Sequence, residues 1–266
     1  MTPGESGLIG QREPLAERLL DQGEVVLALA RREIQSRFSQ NILGYAWTFV
    51  TPLVWIAATY FAFYFFGRRS PVYTDIITFI ISGLIPYAAF RYVINAIGRV
   101  PGSTRGLLIF PSVTVEHGVA SMALIELVNI FIVFALVMTV NYAAFGNFEL
   151  DQPLQFVLGV SLAWGLGVSY AYLFLVLGAF NPTFAAIGPV LLRPTFFISG
   201  VFFTANELPQ RVLTLFALNP LLHATEIARD GMLFHYQSRV ADPLYVIVWI
   251  AAMFGVALLV RSFQRS

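Results

Sequence analysis

Six apolar runs of about bilayer-crossing length divide the chain, at residues 45–66, 75–97, 115–145, 154–180, 184–203 and 243–260. A helix needs about 20 predominantly apolar residues to cross the hydrocarbon, and it closes its backbone hydrogen bonds within itself. Charged residues make up 12% of the 266-residue chain and hydrophobic ones 58%, with a mean hydropathy of +0.73. A soluble domain carries about 25% charged residues. The expectation is therefore an all-α integral membrane protein with six transmembrane helices.

Residues 191–229, the end of the fifth run and the segment after it, depart from that pattern. Arg193 stands inside the apolar run with Pro194 directly after it. A guanidinium in hydrocarbon costs at least about 2.5 to 3.5 kcal/mol, so Arg193 is expected to face a watery or protein-lined interior. Beyond it, residues 211–234 alternate short apolar clusters with Asn219, Pro220, His223, Glu226, Arg229 and Asp230. Proline ends or starts a helix, so the break at Asn219-Pro220 predicts two short helices. They form a re-entrant or interfacial hairpin over about residues 206–236, at the mouth of a pathway.

Composition closes several routes. All sixteen basic residues are arginine, so the chain cannot supply the lysine of a phosphate-binding loop. If ATP drives transport, another subunit hydrolyses it. The absence of cysteine removes disulfides and thiolate metal sites, and a net charge of +1 gives no case for nucleic acid. His223, Glu226 and Arg229 stand at i, i+3 and i+6, but one His and one Glu are too few for a zinc site. Capping and intersubunit hydrogen bonding are the expected roles, and no metal is expected.

Residues 1–40 mix charges with Leu15, Leu19, Val25, Val26, Leu29 and Ile34 at roughly helical spacing. They are read as a cytoplasmic tail leading into an amphipathic interface helix, with no signal-peptide core, and residues 41–266 as the transmembrane domain. Placing both termini inside puts ten arginines in the cytoplasm (Arg12, Arg18, Arg31, Arg32, Arg37, Arg91, Arg99, Arg105, Arg261 and Arg265). Five fall outside (Arg68, Arg69, Arg211, Arg229 and Arg239), in keeping with the positive-inside bias. The largest internal cytoplasmic connection, residues 98–114, carries Pro101-Gly102 and Pro111. These would punctuate a short helix able to dock on a partner, or a solvated turn.

Arg32-Glu33-Ile34, Arg37-Phe38, Leu43-Gly44-Tyr45-Ala46-Trp47 and Pro52 resemble the entry motif of ABC-2 type permeases, and Gly83-Leu84-Ile85-Pro86 is similar to that family's second-span motif. Phe197-Ile198-Ser199-Gly200, Leu208-Pro209 and Asn219-Pro220-Leu221-Leu222-His223, with Glu226 and Arg229, resemble the capsular polysaccharide branch, the KpsM type. The similarity runs over about residues 30–260, and the match over residues 106–117 is loose.

The resemblance implies a homodimer in the bacterial inner membrane, with two periplasmic gate helices between spans five and six. Two separate ATPase subunits would hold the ATP and Mg, with no cofactor in this chain. Arg32, Arg37, Arg99 and Arg105 would couple to them. The cargo would be a lipid-linked acidic polysaccharide, passed to a periplasmic adaptor and an outer-membrane channel. Asn219, Pro220, His223, Glu226 and Arg229 would belong to the gate.

Sugar rings stack on aromatic side chains, and charges select an acidic polymer. Tyr45, Trp47, Trp55, Tyr60, Phe196 and Phe197 are the aromatic candidates for such a pathway, although each also suits packing or a membrane interface. Arg193 either meets an anionic group of the cargo or pairs with Glu126 of the third run. An exporter of O-antigen, teichoic acid or a small lipophile remains open. So does a membrane transferase, although acids here are scattered singly rather than clustered.

Overall fold

The computed structural model describes residues 15–40, 42–104, 106, 109–110 and 113–264. Residues 1–14, Arg105 and Arg265 lie outside them, as does the side chain of Tyr45. Every regular element among the described residues is helical. A long N-terminal helix, α1 (Leu15–Gln40), precedes α2 (Ile42–Phe65), α3 (Ile76–Ile97) and the short α4 (Val100–Thr104). Then come α5 (Val115–Phe145) and α6 (Pro153–Phe180). The fragments α7 (Pro182–Leu191) and α8 (Thr195–Ile198), the hairpin α9 (Gln210–Phe216) and α10 (Pro220–Met232), and α11 (Pro243–Ser262) complete the chain.

Five helices among the described residues are long and apolar enough to cross a membrane: α2, α3 continued into α4, α5, α6 and α11. Their ends reflect local chemistry. Thr114 caps α5 in a reciprocal pair with His117, and Gly146 ends that helix in the left-handed region at φ 71°. Asp75 caps α3 by accepting from the Thr78 amide. Asp242 and Pro243 start α11 in the same way, by a side-chain cap and a first-turn proline.

The fifth apolar run is not one continuous helix, which corrects the sequence expectation. The α-helix stops after Leu191, gives way to a turn over residues 192–194, resumes for the four residues of α8 and turns again at Gly200, whose φ is +77°. Pro194 withholds a backbone donor, and Gly200 takes a conformation that a side chain would strain. Hydropathy is blind to both effects.

α6 is the central post, packed against α3, α10 and α11. Glycines set its separation from neighbours. A Cβ on Gly159 would lie 2.3 Å from the Ala228 amide nitrogen of α10, and one on Gly231 would lie 2.3 Å from the Phe156 nitrogen of α6. Small residues at helix contacts let backbones approach where no solvent drives association. α10 is consequently buried along almost its whole length despite its polar residues.

Contacts between loops sort the two ends of the bundle. At one end, Thr74 bonds Glu149 (2.8 Å), Arg68 reaches Glu207 (3.7 Å) and Gln152 bonds the Gly231 carbonyl (2.7 Å). At the other, Arg261 pairs with Glu116 and Gln264 bonds the Val176 carbonyl (2.9 Å).

Candidate functional site

Between α2, α3 and the broken segment lies a cavity of about 610 Å³. Phe196 is the hub of its aromatic wall. Its ring stands 4.8 Å from Tyr87, 5.7 Å from Trp55, 5.4 Å from Phe197 and 4.8 Å from Phe202. These edge-on and tilted contacts suit the ring quadrupoles. Trp55 and Phe197 remain 50% and 66% exposed, so the wall presents ring surface outward.

Two arginines, Arg91 and Arg193, line the same cavity with Tyr92 and Asn95, and no acidic side chain is among its described lining residues. Two cations in a mostly apolar cleft make it attractive to an anion carrying apolar surface. The sequence counts Arg91 among the cytoplasmic arginines, within a run over residues 75–97, and it lies inside α3, which ends at Ile97 as that run does and leads on into α4. A signal is present in the chain: Tyr87, Arg91 and Asn95 recur at i, i+4 and i+8, a polar stripe on one helix face.

Of the eight proposed pathway residues, Arg193, Trp55, Phe196 and Phe197 come together here. Trp47 does not line the cavity. It stands exposed two turns before Trp55, its carbonyl accepting from Thr51. Tyr60 packs on the α2–α3 side of the core and meets Phe61 at 5.7 Å. Tyr45 falls outside the described side chains.

Glu126 lies elsewhere. It accepts from Arg37 at 3.1 Å, and Arg37 also bonds Glu33 at 3.0 Å. The alternative that paired Glu126 with Arg193 is therefore corrected, since α1 lies along α5 and brings Arg37 to Glu126 first. Burial alone would lower the Arg37 pKa, but Glu126 and Glu33 outweigh it and the net shift is upward. Arg37 thus anchors α1 to α5. Arg32 and Arg99 remain exposed, and Arg32 lines a separate cavity of about 320 Å³ with Ser103 and Thr104. Arg105 lies outside the described residues.

The five gate residues meet at α10. Asn219 caps it by accepting from the Leu221 amide, and its amide group donates to the Ile198 carbonyl (3.2 Å), joining the hairpin to α8. His223 donates from Nε2 to the Ala217 carbonyl (2.8 Å) at the end of α9 and faces the Tyr245 ring at 4.6 Å.

Glu226 and Arg229 form a wholly buried ion pair at 2.5 Å. Arg229 also donates to the carbonyls of Gly200 and Phe203 and to Ser82 Oγ (3.2 Å), with its guanidinium 4.8 Å from the Phe79 ring. Glu226 accepts from Tyr236 and from Ser238 (2.6 Å). Irregular backbone at membrane depth survives only if its polar groups find partners. Arg229 supplies them for the broken segment, and so fixes the cleft wall built on Phe196 and Phe197 against α3.

Five long apolar helices and a cation-bearing aromatic cleft define a multi-pass membrane protein. A family profile described as ABC-2 type transporter matches residues 24–233. The chain belongs to that family. The polysialic acid transport protein KpsM of Escherichia coli is 28% identical over 240 residues, 89% of this chain and 93% of that protein. The capsule polysaccharide export inner-membrane protein CtrC of Neisseria meningitidis serogroup A is 28% identical over 253 residues, 92% and 93% of the two chains. The corresponding protein BexB of Haemophilus influenzae is 27% identical over 227 residues, 84% of each.

Proposed function

We propose that this chain is the inner-membrane permease of an ATP-driven exporter of a capsule-type acidic polysaccharide carried on a lipid anchor. It works as a homodimer with two separate ATPase subunits and performs no chemistry of its own. The observation that supports this reading is the α2–α3 cleft, where the guanidiniums of Arg91 and Arg193 and the aromatic rings of Trp55, Phe196 and Phe197 line one cavity. Ring faces give a sugar chain a sliding surface. The guanidiniums favour carboxylate or phosphate groups over neutral glycans.

On this reading α7 and α8 together make a sixth, interrupted passage. α7 has 10 residues, about 15 Å or half the hydrocarbon thickness. The broken backbone after it returns to Glu207, which pairs with Arg68 at the end opposite Glu116 and Arg261. An even number of passages leaves both termini on one side, which the arginine bias makes the cytoplasm, and sets α9 and α10 on the periplasmic side. With Arg91 inside a span, nine arginines fall in the cytoplasm and five outside, preserving the positive-inside bias. A periplasmic adaptor and an outer-membrane channel then receive the polymer.

The test is co-purification with the candidate ATPase subunit, followed by ATP hydrolysis in lipid discs. Hydrolysis should require the ATPase and rise when the lipid-linked acidic polymer is added. Turnover by the purified chain alone, or stimulation equal with a neutral glycan, would contradict the reading.

A further inference from the structure

On a different face of the bundle, α1, α5, α6 and α11 enclose a groove of about 500 Å³. Val119, Ala123, Val168 and Phe254 contribute to its walls. Trp164 turns only ring surface to it, because its Nε1 already donates to the Ala123 carbonyl at 2.9 Å. A second space of about 470 Å³ adjoins this groove, the two sharing Val26, Glu116 and Ala120. The second space carries the polar side chains Gln22, Thr114, His117 and Arg261 on its edge. At the junction Arg261 pairs with Glu116 and also donates to the Tyr172 hydroxyl (2.6 Å).

We propose that this groove holds one resident phospholipid with an aminoalkyl phosphate headgroup, its acyl chain along Ala120, Leu124 and Trp164. The dimensions fit one leaflet. Glu116 to Leu124 spans eight helical residues, about 12 Å, against about 15 Å for half the hydrocarbon core. The charges choose the headgroup. A cation and an anion stand paired at the mouth, so a headgroup carrying both signs meets a complement for each. A headgroup bearing only phosphate sets its charge against Glu116, and like charges so placed repel. A primary ammonium also donates hydrogen bonds to the carboxylate, which a quaternary one cannot. The lipid bridges α1 to the end of α11, making the seating of α1 depend on membrane composition.

The groove shares no lining residue with the arginine cleft, so the proposal stands or falls independently of the cargo. The test uses native mass spectrometry of the purified full-length chain, delipidated and then titrated with phosphatidylethanolamine or phosphatidylglycerol. One phosphatidylethanolamine should be retained per chain, in preference to phosphatidylglycerol. Ala120→Phe fills the shared waist from an exposed position, and Val26→Phe fills it from α1. Each should weaken retention about tenfold, equal to 1.4 kcal/mol, and Glu116→Gln should erase the preference between the lipids. Retention unchanged in both phenylalanine variants, preference for phosphatidylglycerol, or no retained lipid would overturn the proposal.

Discussion

Arg229→Ala should remove most of the folded protein from the membrane. The substitution strands Glu226 as an uncompensated charge in a wholly buried site, a change that costs about 3–5 kcal/mol. It also takes donors from the Gly200 and Phe203 carbonyls, adding about 1–3 kcal/mol for each left unsatisfied. Native domains hold only about 5–15 kcal/mol, so the loss is decisive. Arg229→Lys should rescue poorly, because an ammonium cannot span the planar fork that reaches Ser82, Phe203 and Glu226 together. The double change Glu226→Leu with Arg229→Met removes both charges and should recover part of the loss. Thermal melting in detergent and abundance in membranes check all three. Wild-type stability for Arg229→Ala would show that the broken segment does not depend on this guanidinium.

The second large effect falls on transport rather than folding. Arg193 is exposed, and surface substitutions usually change stability by no more than about 0.5 kcal/mol. Arg193→Ala should therefore leave the complex assembled while export of an acidic polymer drops about tenfold or more. That is the scale of losing one charge-assisted contact worth about 1.5–3 kcal/mol. Arg91→Ala should act in the same direction, and Arg193→Lys should retain more export than alanine because it keeps the charge. Polymer reaching the cell surface, normalised to assembled complex, is the readout. Normal export from the double alanine variant would remove the cleft from the route.

These two arginines show where sequence suffices and where it stops. The limits of α5 are legible in the chain, because Thr114 and Gly146 are local capping signals that need no tertiary partner. The hairpin break is legible for the same reason, Asn219 and Pro220 forming cap and first turn. Arg91 is harder. Its charge reads as cytoplasmic although its run extends to residue 97, and only the stripe of Tyr87, Arg91 and Asn95 at i, i+4 and i+8 reveals a helix face directed at a cavity.

The partner of Glu126 is beyond the reach of sequence. Arg193 and Arg37 are equally available there, and the choice depends on α1 packing against α5, a contact 89 residues apart in the chain. The fifth passage misleads because hydropathy sums side chains, while its interruption arises in the backbone at Pro194 and Gly200. Arg229, in turn, reads as a gate charge in sequence. Its structural duty appears only once the carbonyls it satisfies are located.

The central claim is that polymer travels past the aromatic and arginine wall between α2, α3 and the broken segment. The most direct measurement places a photoreactive phenylalanine analogue at Phe197, which is 66% exposed beside Arg193, and a control at Leu158 on the outer face of α6. After irradiation of the exporting complex, radiolabelled polymer should be attached at position 197 and not at 158, only while ATP is turned over. Polymer captured at 158 with none at 197 would contradict the account.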